Sequence, residues 1–131
     1  MFSITRIDHL VLTVNDIPTT LEFYSRVLGM YAIQFTGKDG TQRVALTFGS
    51  QKINLHEAGN EFEPKAEKAA SGSADLCLIT ETELEQAMDY VRSCKVKIIE
   101  GPVKRTGATE KLLSFYIRDP DQNLIEIANT V

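Results

Sequence analysis

The sequence is short of cysteine, of basic excess and of long apolar runs, and each shortage removes a class of protein. Its two cysteines, Cys77 and Cys94, form no CxxC pair and cannot build a disulfide framework or a structural zinc site. They read as buried free thiols, since reduced cysteine packs as a small hydrophobe. Fourteen Lys and Arg against eighteen Asp and Glu give a net charge of −4. Such a chain repels a phosphate backbone, so nucleic acid is not an expected partner. No apolar stretch approaches the roughly 20 residues of a membrane helix. The opening Met1–Arg6 meets Asp8 before any long apolar run, unlike a secretory signal. The expectation is a cytoplasmic protein without a membrane partner. Eight Gly and four Pro in 131 residues rule out collagen-like or low-complexity character. A chain of this length buries roughly two-thirds of its extended surface, enough for one domain with a true core.

What is present is an order of elements that occurs twice. Residues 7–14, IDHLVLTV, are β-branched and apolar and predict a strand. Asp16 offers an N-cap and Pro18 fits the first turn of a helix carrying Leu21, Tyr24 and Leu28, closed by Gly29. Residues 31–35, 43–48 and 52–57 predict three short strands. Residues 58–73, rich in charge and holding Gly59, Pro64 and Gly72, read as a linker. The second half repeats the pattern. SADLCLIT (73–80) predicts a strand, and Thr82 with Glu85 suggests a capping box for the helix that follows. Residues 96–99, 112–117 and 124–128 predict strands, with Gly101-Pro102 and Asp119-Pro120-Asp121 as turns. The expected fold is α+β: two βαβββ modules, about 5–58 and 73–129, within a single domain spanning 1–131.

Superposing the halves places His9 over Asp75. Laying INLHEAG (53–59) over NLIEIAN (123–129) places His56 over Glu126. Each of the four interrupts an apolar strand, where an imidazole or carboxylate is costly unless paired or coordinated. Two imidazoles and two carboxylates suit one divalent ion with open positions, Zn²⁺, Ni²⁺, Mn²⁺, Co²⁺ or Fe²⁺. Alternation puts His9, Val11 and Thr13 on one strand face, Asn54 and His56 on one face, and Glu57 on the opposite face. Arg105, in what reads as a long connection, is the best candidate for anion recognition. Ser114 and Tyr116 share a strand face, and Tyr116 could donate a hydrogen bond to substrate.

At these residues the chain resembles the vicinal oxygen chelate superfamily. The resemblance rests on the opening D-H-L strand, F-Y-x-x-V-L-G-M (Phe23–Met30) and the closing R-D-P-D-x-N-L-I-E (Arg118–Glu126). The blocks QKINLHE (51–57), EFEPKA (61–66), SADLC (73–77) and EGPVxRTGA (100–108) are similar to small virulence-associated and lactoylglutathione-lyase-like proteins. The resemblance implies a cup-shaped mixed sheet and a metal held by first- and last-strand residues of each module. Those residues are His9, His56 and Glu126, with Asp75 at the fourth place. It implies Glu126 as the catalytic base, Asp75 as a second proton carrier, and a homodimer whose two subunits share each site. It implies glyoxalase-type lyase or isomerase chemistry on a small oxygenated substrate, such as a glutathione or other thiol adduct. The alternatives are sequestration of a drug or metabolite without turnover, as in bleomycin resistance, and Fe(II) extradiol dioxygenation. Two departures stand out. His56 replaces the usual carboxylate or amide and Asp75 the usual His, while Gln122 replaces the glycine of the closing turn.

Overall fold

The computed structural model describes all 131 residues, Met1–Val131. Its elements are β1 (His9–Val14), α1 (Ile17–Arg26), β2 (Tyr31–Thr36), β3 (Gln42–Phe48) and β4 (Gln51–Glu57). They are followed by β5 (Asp75–Ile79), α2 (Leu84–Ser93), β6 (Glu100–Thr106), β7 (Lys111–Arg118) and β8 (Leu124–Thr130). The strands form two mixed four-stranded sheets, β1-β4-β3-β2 and β5-β8-β7-β6. In each, the first and last strands of the module pair in parallel and the others antiparallel. The fold is therefore α+β, with the βαβββ order occurring twice. The chain divides into two compact units, Met1–Ser71 and Gly72–Val131, one module in each. Neither helix is long and apolar enough to cross a membrane.

In the first module the alternation of β1 sorts its side chains. Leu12 and Val14 are buried with Ile53 and Leu55 of β4, while His9 and Val11 stay exposed on the other face. Helix α1 packs against β2 and β4 through Thr20, Phe23 and Tyr24. Asp16 caps it, accepting from the Thr19 N–H at 2.9 Å. Gly29, at φ +69°, reverses the chain so that Met30 N–H reaches the Tyr24 carbonyl. Tyr24 is wholly buried, and truncating such an aromatic costs about 3–5 kcal/mol.

In the second module Leu84, Met88 and Val91 form the buried face of α2, which packs on β7. Phe115, Ile117, Ile125 and Ile127 are the sheet side of that core. Four expectations are corrected here. Thr82 is not a cap: α2 starts after Glu83, which makes no side-chain cap bond, and the Thr82 N–H goes to the Thr80 hydroxyl instead. Residues 96–99 are not a strand; β6 begins at Glu100 and runs through Gly101-Pro102, the pair taken for a turn. The strand absorbs that pair with an irregular register between Glu100 and Val103. Arg105 consequently lies on β6, beside a tight hairpin closed by Gly107 N–H to the Glu110 carbonyl, not in a long connection.

The β7–β8 turn is held by buried polar groups. The Asp119 carboxylate accepts from the N–H groups of Asp121 and Asn123, each at 2.9 Å, and from the Asn123 amide at 2.8 Å. Asn123 Oδ1 in turn accepts from the Ala74 N–H at 2.8 Å, tying the turn to the start of β5. Gln122, where glycine was expected, sits at φ +71°.

Candidate functional site

In the first module, parallel pairing of β1 and β4 sets His9 opposite Lys52, Val11 opposite Asn54 and Thr13 opposite His56. All six therefore project from the sheet face away from α1. His9 is partly exposed, and its Nδ1 meets Asp8 Oδ2 at 2.9 Å. That bond, with the nearby Arg6, holds the Asp8 carboxyl below its ordinary value. A carboxylate on one ring nitrogen orients an imidazole for a ligand on the other. Asn54 stands diagonally across from His9, at about 8 Å between Cα atoms for this strand geometry. Its Oδ1 is buried and has no hydrogen-bond partner.

His56 lies elsewhere on the same face. Four residues separate its level from that of His9, about 13 Å along the strands. Imidazoles standing at that spacing do not share an ion whose metal–nitrogen bonds are about 2.0–2.1 Å. His56 is 6% exposed and packs edge-on against Phe62, with ring centroids 5.5 Å apart. Arg43 lies over the opposite side of Phe62, 3.9 Å from its centroid. Burial, with the charges of Arg43 and Lys65, pushes the His56 pKa down against the opposing pull of Glu61. Glu57, as expected, is exposed on the other face and accepts from the Asn60 amide.

In the second module β5 and β8 repeat the same register: Asp75 faces Leu124 and Cys77 faces Glu126. Glu126 thus stands diagonally from Asp75 as Asn54 does from His9. The counterpart of Glu126 is Asn54, and His56 corresponds to Ala128. The triplets Ile53-Asn54-Leu55 and Ile125-Glu126-Ile127 also share the same order of burial, the polar residue half-buried between two buried apolar ones.

Four sequence candidates come together on this second face. Antiparallel pairing sets Tyr116 opposite Glu126 and Ser114 opposite Ala128. The fully buried Ser114 hydroxyl donates to Glu126 Oε2 at 2.7 Å. The Cys77 thiol is also hydrogen-bonded to this carboxylate, and burial together with the Glu126 charge pushes its pKa up to about 11. Arg105 donates from Nε to the Tyr116 hydroxyl at 2.9 Å and from Nη2 to Glu100 at 3.2 Å. A cavity of about 410 Å³ opens between Arg105 and the hairpin on one side and Cys77 and Glu126 on the other. Asp75 lies at the exposed start of the same face. Tyr116 here accepts from Arg105 rather than being free to act alone.

The repeated module, with polar donors at matched places on one sheet face, defines a class. The chain belongs to the Glyoxalase/Bleomycin resistance protein/Dioxygenase superfamily, whose model matches residues 6–127. It is 55% identical over 128 residues to Virulence protein STM3117 of Salmonella typhimurium, covering 98% of this chain and 86% of that protein. It superposes with a TM-score of 0.92 on the integron cassette protein VCH_CASS1 of Vibrio cholerae, at 60% identity and 98% coverage of both chains. Metallothiol transferase FosB of Staphylococcus epidermidis is 27% identical over 95% of this chain and 81% of its own. At 19% identity and TM-score 0.69, a lactoylglutathione lyase from Agrobacterium tumefaciens shares the fold over 95% of this chain and 93% of its own. So does TnmS3, an antibiotic binding protein from Streptomyces, at 17% identity and TM-score 0.73 over 100% of both chains.

Members of the superfamily commonly use divalent metals. The donors fit such an ion in their chemistry. The first module offers an imidazole and an amide oxygen, the latter buried and unpartnered; the second offers two carboxylates. Neither module by itself gathers three or more His, Cys, Asp or Glu side chains for a metal.

Proposed function

We propose that this protein is a divalent-metal-dependent enzyme of glyoxalase type, performing lyase or isomerase chemistry on a small oxygenated substrate such as a thiol adduct. The first module supplies His9 and Asn54 to the ion and the second supplies Asp75 and Glu126. His56 is left out because of its distance from His9. The assembly is a homodimer in which the two copies complete each other's sites. What carries this reading is the matched register. In both modules a first-strand donor and a last-strand donor stand diagonally on one sheet face.

A bound divalent ion supplies polarisation of substrate oxygens, making an adjacent C–H acidic. Glu126 then acts as the base, taking the proton onto a carboxylate oriented by the Ser114 hydroxyl. Asp75, on the same face, serves as the second proton carrier. Asn54 has no basic oxygen, so proton transfer rests with the second module. Arg105, braced by Tyr116 and Glu100 at the rim of the 410 Å³ cavity, orients an anionic part of the substrate. The dioxygenase reading is set aside. A two-His, one-carboxylate triad would need both of the chain's histidines, and these stand too far apart on the same sheet.

Elemental analysis of the protein purified without added metal tests the proposal. One divalent ion per chain is expected, lost in His9→Ala, Asp75→Ala and Glu126→Ala and retained in His56→Ala. Absence of a stoichiometric ion after incubation with Zn²⁺, Ni²⁺ and Mn²⁺ overturns it in favour of non-catalytic sequestration.

A further inference from the structure

Seventeen residues, 58–74, join β4 to β5 without a helix or strand. Connections of that length are uncommon in a compact domain and are often lids or binding loops. Part of this one lies over the first module's sheet. Phe62 packs edge-on against His56, with ring centroids 5.5 Å apart, and carries Arg43 on its own ring at 3.9 Å. Further along, Pro64, Ala66 and Ala69 wall a cavity whose floor includes Val11, Thr13 and His56. The floor records the cover. Val11 is 47% exposed, whereas Thr13, two residues on along the same strand face, is 8% exposed and His56 across from it is 6%. The covering segment itself stays in water: residues 63–68 are all exposed, and Phe62 and Ala69 are half-buried.

We infer that residues 61–69 form a flap that lifts from the first module's sheet as a unit, with Phe62 as its latch. Closed, it blocks the Thr13–His56 end of that face. The ion pairs of Lys65, with Glu61 at 3.7 Å and Glu63 at 3.5 Å, lie inside the segment. They stiffen the flap and move with it rather than fastening it to the sheet. Phe62 does the fastening near one end, docked on an Arg43 that Asp39 pins at 3.4 Å. Beyond the other end the Ser71 hydroxyl donates to Asn15 Oδ1 at 3.1 Å, a natural pivot. Gly59, at φ +88°, precedes the latch and can absorb the rotation. A segment with exposed side chains and few apolar contacts opens locally while the core stays folded. The flap concerns access rather than chemistry and needs no metal, so it goes beyond the enzymatic reading and does not depend on it. Where that reading applies, the flap limits how far a substrate held near His9 and Asn54 extends along β1 and β4.

The test measures access beneath the flap in the full chain, treated with EDTA and with Cys77 and Cys94 replaced by Ser. A single thiol from Thr13→Cys reports the covered floor, and one from Val11→Cys the open surface beside it. The probe is fluorescein maleimide, too bulky for a cavity of about 250 Å³. Thr13→Cys should label at least about tenfold more slowly than Val11→Cys, as a group reached only through local opening does. Phe62→Ala should speed Thr13→Cys about tenfold, the loss of one aromatic pair and one cation–π contact, with little change at Val11→Cys. Phe62→Tyr keeps the ring and should keep the slow rate. Ala69→Cys, seven residues beyond the latch, should gain reactivity in Phe62→Ala if the segment lifts as one. No gain there means that Phe62→Ala merely leaves a hole, and it overturns the inference. So do equal rates at Thr13→Cys and Val11→Cys, or a Thr13→Cys rate indifferent to Phe62→Ala. If Thr13→Cys fails to fold, diethyl pyrocarbonate on the natural histidines decides. His9 should label at least about tenfold faster than His56, Phe62→Ala should speed His56 alone, and equal labelling of the two overturns the flap. Because metal is chelated throughout, the outcome is independent of metal retention.

Discussion

The Ser114 hydroxyl donates a 2.7 Å hydrogen bond to Glu126 Oε2 from a fully buried position on the neighbouring strand. A hydrogen bond to a charged group contributes about 1.5–3 kcal/mol. Ser114→Ala should therefore lower stability by about 2 kcal/mol, read as a shift in the urea midpoint without a change in slope. In the enzymatic reading the same variant leaves Glu126 with only the Cys77 thiol to orient it, so turnover should fall more than substrate binding does. A variant with wild-type midpoint would mean that the bond is not made in solution.

That bond also shows what the sequence could reveal. Ser114 and Tyr116 are read onto one face by simple alternation, and the register places both beside Glu126. The duplicated βαβββ order was legible for the same reason, since apolar strands and capped helices follow local rules. What was not legible depended on pairing. The equivalence of Glu126 with Asn54 rather than His56 is a two-residue question. Alternation cannot decide it, because residues two apart share a face. Only the partner strand, Val11 for one and Cys77 for the other, resolves it. Gly101-Pro102 looked like a turn because both residues weaken strands; β7 overrides that preference by pairing on either side of the irregularity.

Cys77 gives a chemical handle on Glu126. The thiol is exposed, yet its pKa is pushed up to about 11 by burial of the sulfur and the adjacent carboxylate charge. At pH 8 roughly one thiol in a thousand is thiolate, against about one in ten for a cysteine at the ordinary value of 9.0. In a Cys94→Ser background, Cys77 should react with a disulfide reagent about tenfold more slowly than a free thiol, because the greater nucleophilicity of a more basic thiolate offsets part of its scarcity. The rate should rise with pH up to about 11. Glu126→Gln removes the charge and should speed the reaction. Equal rates in the two proteins would exclude electrostatic coupling between these neighbours.

The burial of His56 sets the acid side of the stability profile. Its folded-state pKa lies below the ordinary 6.5, chiefly through desolvation and then through Arg43. As pH falls past 6.5 the unfolded chain takes up this proton before the folded chain does, so stability declines with acidity in that window. Asp8, Asp16, Asp39 and Glu61, whose carboxyl groups are also held low, act only at and below about pH 4.5. Denaturation midpoints measured between pH 7.5 and pH 5.5 should fall for the natural protein and flatten in His56→Asn. A slope that persists in the variant would assign the effect to another group.

Asn123 binds the β7–β8 turn to the strand that begins the second module. Its side chain is fully buried and joins the Asp119 carboxylate to the Ala74 N–H. Asn123→Ala removes both of these side-chain bonds, and a cost of about 3 kcal/mol is expected. Asn123→Asp keeps the acceptor for Ala74 but sets two carboxylates against each other. It should be at least as destabilising near pH 7 and partly recover as pH falls below about 4, where carboxylates take up protons. Thermal melts of both variants across that range check the sign.

Gly101 connects backbone conformation to the position of Ser114. It adopts φ +128°, a region that side chains disfavour. A Cβ built there would stand 2.6 Å from Phe115 Cβ and 2.8 Å from the Ser114 carbonyl oxygen. Neither neighbour can retreat easily, because Phe115 is wholly buried in the core and the Ser114 side chain is held by Glu126. Gly101→Ala should thus cost more than about 3 kcal/mol, combining strain with a clash against a packed strand. The damage should extend to the site. Displacing β7 at Ser114 weakens the bond to Glu126, so in the Cys94→Ser background Cys77 reactivity should change along with stability. Gly29→Ala, at φ +69° but with open space around the new carbon, is the control: it should cost only about 1 kcal/mol and leave the Cys77 rate unaltered. If both variants cost the same, conformational strain alone governs Gly101 and its contact with β7 contributes nothing.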